Sequence, residues 1–105
     1  MEIVVEDRLI LYVPNTFTPD FDDYNQFFTP VLSSGFDPQD YNLYIYNRWG
    51  ELIFESHNHL IGWDGTYGEG LNTPCQDGTY TWKLVIGEED KPTRLTFHGH
   101  VNLIR

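Results

Sequence analysis

Apolar residues in this chain recur at every second position, and runs with the helical spacing of three and four are almost absent. The clearest run is Thr79 to Ile86, where Tyr80, Trp82, Leu84 and Ile86 fall on one face. Successive side chains of a strand point to opposite sides, so this alternation calls for a sheet with one buried side. Leu9, Leu11 and Val13 alternate with Ile10 and Tyr12 until Pro14-Asn15 breaks the pattern. Tyr41 to Asn47 reads as a strand with Leu43 and Ile45 on one face and Tyr44 and Tyr46 on the other. Leu95, Phe97, Val101 and Leu103 line one face of a long final strand.

The segments between these runs carry turn chemistry. Leu52 to Glu55 is the expected hairpin partner of Tyr41 to Asn47 across Arg48-Trp49-Gly50, whose glycine supplies the positive φ of a tight turn. Ser33-Ser34-Gly35 and Asp37-Pro38 mark a further connection, and Gly87 to Pro92 a polar hairpin loop. Residues 57–78 hold five glycines and read as loop with one short strand. Short strands with Gly, Pro and Asp turns and no helices between them predict an all-β, single-domain fold, an immunoglobulin-like antiparallel β-sandwich. The Cys-Trp-Cys signature of true immunoglobulin domains is absent, and there is no internal repeat.

The length of 105 residues suits one domain, and aromatics at 16% supply a core for it. A formal net charge of -10 repels phosphate, which excludes nucleic acid and an anionic membrane surface as partners. Its plainest consequence is solubility. The single cysteine, Cys75, permits no intrachain disulfide and sits in a loop-forming Asn72-Thr73-Pro74-Cys75-Gln76-Asp77-Gly78 stretch. No apolar run approaches the ~20 residues of a membrane span, so direct membrane insertion is not expected. No secretion leader opens the chain, and Met1 is followed at once by the strand-like Ile3-Val4-Val5. This start reads as that of a domain cut from a longer protein.

Few residues suggest chemistry. Asp20, Asp22 and Asp23 offer the hard oxygens that Ca²⁺ takes, but their loop lacks the turn glycine and distal glutamate of an EF-hand. Turn capping by solvated carboxylates is the favoured reading of them, and no cofactor is expected. His98 and His100 share the polar face of the last strand, and His57 and His59 stand together, yet neither pair has a third ligand at a metal-site spacing. Asp64 and Asp77 each precede a glycine and read as turn formers before they read as paired acids. No phosphate loop, nucleophile elbow or His-Glu-x-x-His helix is present, so an enzyme is not expected. Trp49, Trp63 and Tyr67 lie in loops or turns, where two readings stand open. They form a platform for sugar rings, or Trp63 plugs one end of the sandwich and Trp49 folds under its hairpin.

Several segments together resemble a known family. They are Val13-Pro14-Asn15-Thr16-Phe17-Thr18-Pro19, Phe27-Phe28, Tyr44-Ile45-Tyr46-Asn47-Arg48-Trp49-Gly50, Phe54-Glu55-Ser56, Trp63-Asp64-Gly65, Gly70, Gly78-Thr79-Tyr80 and Gly99-His100-Val101-Asn102-Leu103-Ile104-Arg105. In this order they are similar to the gliding-motility-associated C-terminal domain, the type B C-terminal sorting domain of the type IX secretion system. The likeness covers residues 13–105, with residues 1–12 as a leading strand or linker packed on the domain. It departs at Asp20-Phe21-Asp22-Asp23-Tyr24-Asn25-Gln26, where the family carries a glycine-containing loop.

The resemblance implies a domain that directs an attached protein through the type IX pathway, via the periplasm, to the cell surface or medium. Its implied partners are protein components of that machinery, met through Arg48, Trp49, Gly50, Trp63 and Arg105. Arg105 adds a cation and a free carboxylate for recognition, or it simply ends a strand in solvent. The alternative is an adhesive or carbohydrate-binding module, for which Trp49, Trp63 and Tyr67 would contact glycans.

Overall fold

The computed structural model describes residues 2–4, 10–17, 27–33, 36–67, 73–88, 92 and 94–104. These form strands and no helix. Early in the chain come the short strands β1 (Glu2–Val4), β2 (Ile10–Tyr12), β3 (Thr16–Phe17) and β4 (Val31–Leu32). The long β5 (Phe36–Tyr46) is followed by β6 (Leu52–Ser56), then by the short β7 (Thr66–Tyr67) and β8 (Thr73–Pro74). The chain finishes with β9 (Gly78–Glu88) and β10 (Arg94–Leu103).

Three sheets result, in the orders β1-β2-β4, β3-β10-β9-β5-β6 and β7-β8. The first two carry the sandwich. Leu11 of the three-stranded sheet and Val13 just after it join Leu43, Ile45, Trp82, Leu84, Ile86, Val101 and Leu103 of the five-stranded one in a single buried cluster. The alternation seen in the sequence sets this burial. Tyr80, Trp82, Leu84 and Ile86 are all buried along β9, and Tyr41 joins Leu43 and Ile45 on the inner face of β5. Area removed from water at ~25 cal/mol per Å² makes each such side chain a contribution of roughly 1.5–3 kcal/mol.

One pairing departs from the antiparallel expectation. β3 runs parallel to the end of β10, with Asn102 opposite Thr16 and Leu103 opposite Phe17. Asn102 N–H donates to the Asn15 carbonyl at 2.9 Å, and Ile104 N–H to that of Phe17 at 3.1 Å. Two segments far apart in sequence, Asn15 to Phe17 and Asn102 to Ile104, therefore meet at one edge of the sheet.

Asp37-Pro38 is not a connection, as the sequence suggested, but part of β5. A proline cannot donate to a ladder, and the strand accommodates it with a bulge: its register against β9 shifts between Asp37 and Tyr41. The bulge brings Asp40 over Gly87, where an added Cβ would lie 2.6 Å from Asp40 Oδ2. The same oxygen accepts a 2.9 Å hydrogen bond from Arg94 Nε. The 57–78 region holds two short strands rather than one, since β7 pairs antiparallel with β8.

Candidate partner-binding surface

The β5–β6 hairpin ends in a turn organised by Asn47. Its carboxamide oxygen accepts from Trp49 N–H at 2.9 Å and from Glu51 N–H at 3.0 Å. Its Nδ2 donates to Glu51 Oε1 at 3.2 Å. The Asn47 backbone accepts from Gly50 N–H and donates to the Glu51 carbonyl, each at 3.0 Å. Gly50 sits at φ 81°, the left-handed region expected of it, with nothing within 4 Å of a Cβ position.

This frame holds Arg48 and Trp49 outward. Trp49 is 70% exposed, so it does not fold under its hairpin as one sequence reading had it. The Arg48 guanidinium carbon lies 4.3 Å from the Trp49 ring centroid, a cation–π stack of about 0.5–1 kcal/mol at an exposed site. Beside the turn, Asn47, Arg48 and Trp49 face Gln76, Asp77 and Thr79 across a small depression of about 90 Å³. Stacking and charge in one rigid, solvent-facing corner suit recognition by another protein, where arginine and tryptophan dominate contact energies.

Trp63 stands elsewhere. It is fully buried, which corrects its assignment to a contact surface. Its ring packs 5.1 Å from Phe17 and 5.0 Å from Tyr80, and its indole N–H donates to the Thr66 carbonyl at 2.9 Å. A two-way backbone bridge to Phe28 fixes the segment. The aromatic plug expected at one end of the sandwich is thus the role Trp63 takes, and a sugar platform loses that ring. Asp64 accepts from Thr66 N–H at 3.1 Å and Thr66 Oγ1 at 2.6 Å, an Asx-type turn beside Gly65 at φ 85°.

Arg105 and the acidic loop with Asp20, Asp22 and Asp23 lie outside the described residues. Among the described residues, no three His, Cys, Asp or Glu side chains gather as a metal site. His98 and His100 are exposed on the outer face of β10, and Cys75 is buried after β8. His57 is tied between Asn42 Oδ1 and Glu55 Oε2, both at 2.8 Å. His59 lies edge-on to Phe36 at 5.4 Å. No described helix is long and apolar enough to cross a membrane.

Sequence reasoning passed over a larger surface beside this turn. Leu52, Ile53 and Tyr67 line two adjoining depressions of about 620 and 660 Å³, one running toward Phe27 and Ile61 and the other toward Trp49. No periodicity could reveal it, because its walls come from distant parts of the chain.

Neither the curated proteins nor the solved structures return a match to this chain. A family model does: the CHU_C Type IX secretion signal domain matches residues 11–103. That span runs from the inner residue of β2 to the end of β10, so it takes in the whole five-stranded sheet and the Asn47–Glu51 turn. The chain belongs to the type IX secretion signal domain family, and it serves as a sorting signal by which an attached protein is exported to the cell surface or medium.

Proposed function

We propose that the export machinery reads this domain at the Arg48-Trp49-Gly50 turn and at Arg105, after the attached protein has reached the periplasm. The observation that supports the turn is the exposed Trp49 ring stacked under Arg48 on a corner that Asn47 holds rigid. A large ring left in water is costly unless a partner covers it. In the sequence Arg105 comes two residues after Leu103, which is paired to Phe17 of β3. The partner is a protein component of the type IX system. Reading a folded corner asks for no reaction and no cofactor, so the domain acts as a non-enzymatic address.

Alanine at both Arg48 and Trp49, in a passenger fused to this chain, tests the site. Export falls several-fold while the purified domain keeps its melting temperature. Undiminished export of the double variant would reject the turn as the contact. In a strain lacking the outer-membrane machinery the passenger accumulates in the periplasm, and cytoplasmic accumulation would contradict the route.

A further inference from the structure

β10 is paired to β9 along its whole length, from Arg94 opposite Gly87 to Leu103 opposite Gly78, with no shift in register. Its other side is paired to β3 only at Asn102 and Leu103. The hydrogen bonds there fix which backbone groups face outward. Asn102 N–H and Ile104 N–H donate away from β9, to the carbonyls of Asn15 and Phe17. The N–H and C=O of one strand residue point to the same side, and the side alternates along the chain. Those of Arg94, Thr96, His98 and His100 therefore also aim away from β9. Among the described residues no strand lies beside that stretch, and the side chains of all four are exposed. A regular, unpaired edge offers its N–H and C=O groups to any extended chain of matching shape.

The side chains state what such a chain must carry. In a protein of net charge -10, β9 and β10 bear Lys83, Arg94, His98 and His100 against one carboxylate, Glu88. Glu88 is buried at the far end of β9, opposite Phe36. Arg94 is taken up by Asp40. Lys83, exposed and directly opposite His98, is thus the fixed charge beside the edge, with His98 and His100 as imidazole donors in front of it. Glu55 lies two strands beyond Lys83, across Tyr44, and is bonded to His57. On the inner face Leu95 and Phe97 are only half-buried against the core. We propose that the Arg94–His100 edge of β10 receives an extended partner segment of alternating apolar and acidic residues, added to the sheet in line with β3. Its apolar side chains cover Leu95 and Phe97, and its carboxylates meet His98 and His100 with Lys83 behind them. A second copy of this chain fits poorly, because neither copy brings a carboxylate to this edge and both carry a net charge of -10. The inference is independent of the contact assigned to Arg48 and Trp49.

The probe is a peptide of alternating valine and glutamate, about six residues long, titrated into the whole domain at neutral pH and followed by amide NMR shifts. A valine–lysine peptide of the same length is the control. Bulk attraction to an acidic protein favours the lysine peptide, so a preference for glutamate isolates the edge. The glutamate peptide binds about tenfold more tightly, with the largest shifts at residues 94–100. Thr96→Pro removes an outward N–H and no bond to β9, so the sheet is kept and the binding is lost. Lys83→Glu, at an exposed side chain, weakens binding about threefold by a separate route. A thermal melt establishes that each variant is folded, and Lys83→Glu decides alone should the proline variant unfold. Equal or tighter binding of the lysine peptide, shifts centred elsewhere, unchanged affinity in Lys83→Glu, or dimerisation of the domain through β10 would each overturn the proposal. Because the assay contains no secretion machinery, its failure leaves the sorting role untouched.

Discussion

Gly99 faces Trp82 across the β9–β10 ladder, and the indole lies directly over it. A Cβ on residue 99 would stand 2.8 Å from Trp82 Cζ2 and 3.0 Å from Cε2 and Nε1. Trp82 is buried within the core cluster, 6.4 Å from the Phe28 ring. The glycine that opens the closing Gly-His-Val-Asn-Leu-Ile-Arg segment is therefore a packing requirement. Gly99→Ala overpacks the site and costs roughly 1–3 kcal/mol. Urea unfolding monitored by tryptophan fluorescence measures this, and an unchanged midpoint would mean that the ring shifts freely.

Trp63 and Trp49 separate structure from surface. Trp63→Ala removes a fully buried ring that touches Phe17 and Tyr80, for a loss of about 3–5 kcal/mol. Trp49→Ala removes an exposed ring and changes stability by less than about 1 kcal/mol. Thermal melts of the two variants give this ranking. Loss of any binding activity in Trp63→Ala would then report unfolding, whereas loss in Trp49→Ala would report a contact.

Asn47→Ala takes away three side-chain hydrogen bonds at once. Two of these satisfy backbone N–H groups of the turn, and the expected cost is about 1–2 kcal/mol. The turn loosens before the sheet does, so hydrogen exchange at Trp49 and Glu51 quickens by a larger factor than exchange within β9. Uniform quickening across both would show that the turn has no local stability of its own.

Tyr41 holds a buried hydroxyl with no hydrogen-bond partner among the described residues, and burial raises its phenol above the ordinary value. In the unfolded chain this phenol ionises near pH 10. The folded state keeps the proton to higher pH, so above about pH 10 the unfolded chain binds fewer protons and stability falls as pH rises. Below that range the group adds no pH dependence. Tyr41→Phe removes both the orphaned hydroxyl and this alkaline loss. The variant is at least as stable as the parent at neutral pH, by up to about 1 kcal/mol, and its stability declines less steeply above pH 10. Destabilisation at neutral pH would indicate a partner for the hydroxyl.

The inner faces of β5, β9 and β10 were legible because burial on a sheet has a period of two and the sequence obeys it. The turn was legible at Gly50, where a positive φ needs that residue. Trp49 and Trp63 were harder, since an aromatic in a glycine-bearing turn has no periodicity to fix its side. The structure exposes the first and buries the second. Pro38 read as an interruption because a bulge is a property of the paired strand, not of the segment alone. The parallel β3–β10 contact and the open stretch of β10 were invisible for a related reason. Each depends on which backbone edges meet or stay open, and side-chain patterns do not encode edges.

The central claim is that these residues are sufficient to send an attached protein out through the type IX system. A fluorescent passenger fused ahead of the chain, expressed in a host with that system and in an isogenic strain without it, measures this directly. Passenger on the surface or in the medium of the first strain alone is the predicted result. Equal retention in both strains, with the fusion intact and folded, would contradict the account.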